Sequence, residues 1–108
     1  MTDRELIELA AKAEGREPPY DNNGVFSAWI GDMENGHWWD PLNDDGDALR
    51  LSVRLNFEIE RSKLADRAYV GQVGEAPWVE YVNDDQDLYQ ATRRAIVQSA
   101  AEIGRKMK

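Results

Sequence analysis

Apolar residues recur at helical spacing in three stretches of the chain, and each stretch carries signals for helix ends. The first apolar stripe consists of Leu6, Leu9, Ala10 and Ala13. Thr2 and Glu5 fit a capping box, in which a hydroxyl and a carboxylate three residues apart satisfy free amides. Gly15 fits a C-terminal stop. We therefore expect a first helix between Thr2 and Gly15.

The second predicted helix begins at Asp44 or Asp45, because carboxylates at a helix N-terminus cap free amides and interact favourably with the helix dipole. Its predicted apolar face contains Ala48, Leu49, Ser52, Val53 and Leu55. Arg50 and Arg54 lie four residues apart, and the spacing places them together on the opposite, solvated face.

The third predicted helix is long and begins after Asp84 and Asp85, which would cap it. Its predicted inward stripe consists of Leu88, Thr92, Ala95, Ile96, Ser99, Ile103 and Met107. The basic side chains at its end complement the negative end of the helix dipole.

Alternating and short apolar runs predict five strands. Residues 25–30 and 37–39 would form a hairpin around Asn35 and Gly36, after a turn at 21–24. The other strands are expected at 56–60, with Phe57 and Ile59 inward, at 68–73 and at 78–82. The predicted order is α-β-β-α-β-β-β-α. Residues 1–108 are thus expected to form one layered α+β domain, in which helices pack on a mainly antiparallel sheet.

Charge changes the picture, because the excess of acid is confined to one stretch. The chain has 21 acidic and 13 basic residues, a formal net charge of −8, and residues 17–47 contain eight acids without any Lys or Arg. Such a balance argues against direct nucleic-acid binding, which depends on basic side chains. It favours a protein partner with a basic surface. The alternative is that the acidity serves solubility alone.

The acidic stretch also contains three of the four tryptophans. Neighbouring residues in a strand point to opposite faces, so Trp38 and Trp39 are expected to differ in exposure unless helices cover both faces. An exposed tryptophan is a frequent binding anchor. The predicted partner-binding residues are Asp32, Glu34, Trp38, Trp39, Asp40, Asp44, Asp45 and Asp47. In the competing interpretation, the tryptophans are buried and the aspartates cap a helix.

The residue types needed for catalysis or metal binding are poorly represented. The chain has no Cys and one His. If residues 40–47 are aligned with a calcium-binding loop, Pro41 and Ser52 replace both anchoring ligands, so no metal site is predicted. His37 lacks a partner nucleophile with an activating motif. We therefore expect a protein that is not an enzyme and has no cofactor.

No apolar run reaches the roughly 18 residues that a membrane span needs. The N-terminal residues lack an apolar signal core. The sequence thus predicts a cytoplasmic protein without a membrane partner.

The segment from Trp39 to Leu51 resembles short bacteriophage and prophage proteins that carry a Trp-x-Pro-Leu-x-Asp-Asp-Gly-Asp-Ala-Leu type of sequence. The opening helix, residues 5–13, and the closing helix, residues 91–97 and 100–104, are also similar. A less specific resemblance is to phage α-β-α sandwich domain proteins. The resemblance implies a phage or prophage origin, a sheet between helices and a place in the cytoplasm of a bacterial host. It implies no catalytic residue.

Together these features favour a non-catalytic protein that binds a host or phage protein. In a sharper version, it blocks a host defence or nucleic-acid-processing protein. The alternative is a binder or sponge for a nucleotide-like small molecule, with Trp and Tyr rings stacked on a base and Arg93 or Arg94 on a phosphate. Both a monomer and a homodimer fit the sequence.

Overall fold

The structure is a computed structural model that describes residues 2–15, 20–22, 25–27, 29–30, 36–62, 67–72, 78–81 and 88–107. The helices and strands of this part are α1 (Asp3–Glu14), β1 (Tyr20–Asn22), β2 (Val25–Ser27), β3 (Trp29–Ile30), β4 (His37–Trp38), α2 (Asp45–Arg54), β5 (Phe57–Ser62), β6 (Arg67–Gln72), β7 (Trp78–Tyr81) and α3 (Leu88–Lys106). The predicted α+β class is confirmed.

Every strand pair among the described residues is antiparallel. β1 pairs with β2, β3 pairs with β4, and β5, β6 and β7 form a three-stranded sheet in that order. The predicted strand at 25–30 appears as β2 and β3, and its predicted pairing with residues 37–39 is confirmed by the Trp29–Trp38 register. Asp21 and Asn22, predicted in a turn, instead lie in the additional strand β1, because their backbone pairs with that of β2.

The ends of α1 follow the sequence prediction. The Thr2 hydroxyl accepts a hydrogen bond from the Glu5 amide at 3.1 Å and donates one to the Glu5 carboxylate at 3.2 Å. Gly15 adopts φ 84°, a left-handed conformation that glycine reaches without steric cost. Asn56 plays the corresponding role after α2, with φ 58°. The predicted strand at 56–60 therefore begins one residue later, at Phe57.

The core lies where α1, α3 and β6 pack together. Its buried members are mostly small or branched apolar residues: Leu6, Ile7, Ala10, Ala11, Trp39, Ala48, Leu51, Ala68, Val70, Ala95, Ile96, Val97, Ala100 and Ala101. The Ser99 hydroxyl donates a 2.7 Å hydrogen bond to the Val70 carbonyl, which satisfies a buried polar group between α3 and β6.

Some predicted inward positions are exposed. On α3, Ala95, Ile96 and Ser99 are buried as expected, whereas Met107 is exposed. Ile59 on β5 is also exposed. The predicted caps at 84 and 85 lie outside the described residues. Near the C-terminal end of α3, a hydrogen bond from Arg105 lowers the pKa of the partly exposed Glu102 carboxyl.

The face of α2 that points inward differs most from the prediction. Leu49 and Val53 are exposed, and Asp47 and Leu51 are buried in their place. The helix is therefore rotated about its axis relative to the apolar face predicted from sequence. The contacts of Asp47, described below, explain this rotation.

Gly104 marks the closest approach between α1 and α3. A Cβ atom added at this position would lie 1.9 Å from the backbone carbonyl oxygen of Leu9. Backbone atoms do not move aside as a flexible side chain can, so any larger residue would force the two helices apart. The absence of a side chain at Gly104 thus sets the spacing of the main helix pair.

We predict that Gly104→Ala destabilises the protein, although alanine favours helix formation by about 1 kcal/mol relative to glycine. The clash with Leu9 should outweigh that gain and leave a net loss of about 1–3 kcal/mol in the free energy of unfolding. Urea denaturation followed by circular dichroism measures it. Gly46→Ala is the control, because the nearest atom there, at 3.3 Å, belongs to the flexible end of Arg50. Equal stability of Gly104→Ala and the wild type would contradict the prediction.

Candidate functional site

The two neighbouring tryptophans of the acidic stretch have opposite environments. Trp38 lies in β4, and 40 % of its surface is exposed. Trp39 follows the strand and is buried in the core beside residues of the helices. The predicted difference in exposure between the two is therefore confirmed, with Trp39 as the core residue.

Asp47 is entirely buried, yet both of its carboxylate oxygens have hydrogen-bond donors. Oδ2 accepts a 2.9 Å hydrogen bond from the backbone amide of Asp40. Oδ1 accepts a 2.7 Å hydrogen bond from the guanidinium of Arg50, which forms an ion pair across one turn of α2. A buried carboxylate is tolerated when its charge and lone pairs are satisfied in this way.

The other aspartates of the segment shape the start of α2. Asp44 is the N-cap residue, and its side chain accepts a 3.0 Å hydrogen bond from the Asp47 amide. The Asp44 amide in turn donates a 2.8 Å hydrogen bond to the Asp40 carbonyl. The side-chain amide of Asn43 donates to both carboxylate oxygens of Asp40. The interpretation of these acids as helix-capping residues is confirmed for Asp44.

Arg93 ties the same segment to α3. Its Nε donates a 2.9 Å hydrogen bond to the Leu42 carbonyl, 51 residues away in sequence. Its Nη1 donates to the Asp45 carboxylate at 2.6 Å. Pro41, which lies between Asp40 and Leu42 in the sequence, is fully buried. We call residues 40–47, held by Arg50 and Arg93, the 40–47 clamp.

The clamp changes the predicted partner-binding surface. Asp47 and Trp39 are buried within the protein, so neither side chain is available to a partner in this fold. Asp40 and Asp44 are partly exposed and Asp45 is exposed, so these three remain accessible. Asp32 and Glu34 lie outside the described residues. Among the described residues, the predicted partner-binding residues that are at least partly exposed are Trp38, Asp40, Asp44 and Asp45.

In the folded protein, arginines from other parts of the chain pair with some of the acids of residues 17–47. Arg50, from α2, neutralises Asp47, and Arg93, from α3, neutralises Asp45. Both arginines lie outside residues 17–47, so the count of charges in that window misses them. The carboxylates of the clamp are engaged mainly with the protein itself.

Two other kinds of site considered from the sequence are a metal site and a site for a nucleotide phosphate. Among the described residues, no group of three or more acidic or histidine side chains is arranged to hold a metal ion. Arg93, predicted as a phosphate ligand, is engaged by Leu42 and Asp45, and Arg94 pairs with Asp3 at 3.2 Å. A nucleotide phosphate would therefore compete with internal carboxylates for both guanidinium groups.

We predict that Asp47→Ala lowers the free energy of unfolding by about 2–4 kcal/mol, because it removes two charge-assisted hydrogen bonds and leaves the Asp40 amide without its acceptor. Asp47→Asn should lose less, since its carbonyl oxygen can still accept from that amide. The control is Asp45→Ala, whose exposed ion pair with Arg93 should contribute less than about 1 kcal/mol.

Urea denaturation of the three variants measures these differences. If Asp47→Ala proved no less stable than Asp45→Ala, the central role of the buried carboxylate would be refuted.

Comparison of the chain with protein-family models, with curated proteins and with solved structures gave no match. The described helices include none with the length and apolar character needed to cross a membrane.

Proposed function

We propose that this protein acts without catalysis, by binding another protein through a contact that Trp38 anchors. The observation that carries the proposal is the exposure of 40 % of this large aromatic side chain on a backbone that is fixed on both sides. Tryptophan is among the residues that contribute most binding energy at protein interfaces, because its ring buries a large area with little loss of rotamer freedom.

The backbone of Trp38 is held by its surroundings. The residue pairs with Trp29 of β3 in the antiparallel register. It is followed by the buried Trp39 and then by Asp40, whose amide is bonded to Asp47. A partner that binds Trp38 would thus pay little conformational entropy for ordering this part of the chain.

The net negative charge of the chain favours a partner with a basic surface. Asp45 has 67 % of its side chain exposed and lies at the start of α2 together with the partly exposed Asp44. The chain as a whole carries a formal net charge of −8. Exposed acids at the rim of a contact raise the association rate with a basic partner and make it sensitive to salt. These acids add less to the affinity than Trp38 does once a partner covers it.

The origin of the partner follows from the resemblance of residues 39–51 to short phage and prophage proteins. That resemblance supports a bacterial host or phage protein as the partner and the host cytoplasm as the site of action. A host defence or nucleic-acid-processing protein fits best, because such proteins present the basic surfaces that an acidic protein would meet. The engagement of Arg93 and Arg94 removes the main support for a nucleotide binder.

We predict that Trp38→Ala abolishes capture of a stoichiometric partner from nuclease-treated bacterial lysate, because loss of an anchor tryptophan costs about 2 kcal/mol or more in binding. The tagged protein is used as bait, and bound proteins are identified by mass spectrometry. Tyr89→Ala is the matched control, since Tyr89 is an exposed aromatic residue of a different element, α3. It should retain the partner.

Thermal melting separates loss of contact from loss of fold, and Trp38→Ala should melt close to the wild type. Undiminished capture by Trp38→Ala would refute the anchor role. A wild-type protein that captured no stoichiometric partner, even at low salt, would refute protein binding in that host.

A further inference from the structure

The strand β5 forms one edge of the three-stranded sheet. All six of its residues pair with β6 in consecutive register, from Phe57 opposite Gln72 to Ser62 opposite Arg67. Among the described residues, no strand pairs with the other side of β5. An edge strand presents a row of backbone N–H and C=O groups on its outer side, and these groups can pair with a further strand.

The middle of β5 is exposed on both faces of the sheet. Phe57 packs against the core, so the alternation of side chains along a strand places Glu58 and Glu60 on the opposite face. Both glutamates are exposed. Ile59 lies on the same face as Phe57, yet 38 % of its surface is exposed. The helices therefore leave the middle of β5 open even on the face against which they pack.

Most of the features by which proteins block a sheet edge are missing from β5. Its sequence, Phe-Glu-Ile-Glu-Arg-Ser, contains no proline and no lysine, and its unbroken register with β6 leaves no room for a bulge. The strand is also as long as β6. The two exposed glutamates remain, and in the described part of the chain neither has an ion-pair partner. Their charges repel acidic strands and attract basic ones.

We propose that the edge of β5 takes up an extended segment of another protein as an additional strand, and that this segment carries two basic residues on either side of an apolar one. Residues directly opposite each other in neighbouring strands lie on the same face of the sheet. The basic side chains would lie opposite Glu58 and Glu60, and the apolar side chain opposite Ile59. In strand addition of this kind, backbone hydrogen bonds supply affinity and the side chains supply specificity.

The same charges exclude a second copy of β5 as the added strand. An antiparallel pair of identical strands that continues the sheet can be centred on Ile59, and each Glu58 then lies opposite the second copy's Glu60. If the pair is centred on Glu58 or on Glu60 instead, that glutamate lies opposite itself. Like charges directly opposite each other are destabilising, so each of these registers is unfavourable. A basic segment meets the same two positions with opposite charge.

The inference does not rest on the proposed contact through Trp38. That residue lies on β4, which pairs with β3, whereas β5 belongs to the three-stranded sheet. Substitutions at Glu58 and Glu60 leave Trp38 unchanged, and Trp38→Ala leaves the edge of β5 unchanged. Either proposal can therefore fail without the other.

The probe for the test is the synthetic peptide acetyl-Val-Lys-Val-Lys-Val-amide, added to the full chain at up to about 10 mM, because strand addition by so short a segment should be weak. Binding and exchange with solvent are followed at the backbone amides by NMR spectroscopy. Alternate amides of β5 point away from β6, and these should exchange more slowly when the peptide is bound. A diffuse electrostatic contact would not protect alternate amides.

Glu58→Gln combined with Glu60→Gln should weaken binding of this peptide by about threefold to tenfold, because each cross-strand pair of opposite charge contributes modestly. Glu5→Gln combined with Glu8→Gln is the matched control. It changes the net charge equally on α1, and glutamine can replace glutamate in the capping box, so it should bind like the wild type.

A second control peptide, acetyl-Val-Val-Lys-Lys-Val-amide, has the same composition but places its lysines on opposite faces of the added strand. The wild type should bind it more weakly than the alternating peptide. Glu58→Lys combined with Glu60→Lys should reverse the preference and favour acetyl-Val-Glu-Val-Glu-Val-amide over the alternating lysine peptide. The glutamine pair provides the test even if the lysine pair is unstable.

Three results would overturn the proposal. The first is a wild type whose alternate β5 amides gain no protection at about 10 mM of the alternating lysine peptide. The second is equal binding of the two lysine peptides by the wild type. The third is a glutamine pair at positions 58 and 60 that binds like the wild type. The role of the two glutamates would then be confined to keeping other strands away from the edge.

Discussion

A carboxylate that leaves water needs donors for its lone pairs and a compensating charge, and Asp47 finds both within a short distance along the chain. The Asp40 amide lies seven residues before it, and the Arg50 guanidinium lies three residues after it. These two contacts fix how the chain passes from β4 into α2. Because a buried ion that loses its partners is costly, few other paths of this segment are compatible with a buried Asp47.

The same contacts determine which residues of α2 are exposed. With Asp47 turned inward, the helical repeat places Ala48 and Leu51 in the core as well, and it places Leu49 and Val53 on the outside. The apolar pattern alone would favour burial of Leu49. The rotation exchanges the burial of Leu49 and Val53 for the burial of Leu51 and of a fully bonded Asp47, and it leaves an exposed apolar stripe on α2.

Features that depend on neighbouring residues were the ones that the sequence could predict. Thr2, Gly15 and Asp44 cap helices as expected, because capping involves atoms within three or four residues. The strands of the three-stranded sheet lie close to their predicted positions for a similar reason. The contact of Arg93 with Leu42 joins residues 51 positions apart, and no local pattern identifies it.

The candidate site illustrates a second limit of sequence reasoning, which concerns acidic residues. An aspartate is assigned to the surface by default, and five of the eight predicted partner-binding residues are aspartates. The structure separates them by burial. Trp38 and Asp45 are exposed, whereas Asp47 and Trp39 are part of the interior. Only the positions of the donors around each carboxylate make this distinction.

This separation decides how substitutions in the acidic segment should be interpreted. Asp47 supports both the backbone next to Trp38 and the rotation of α2, so its loss would weaken any contact made by either surface without touching a partner. Loss of binding in an Asp47 variant is therefore no evidence for an electrostatic contact. Asp45 is different, because it is exposed and its bond to Arg93 is one of several links between α2 and α3. A substitution at Asp45 still removes that bond to Arg93, so its effect on binding is interpreted only together with its measured stability.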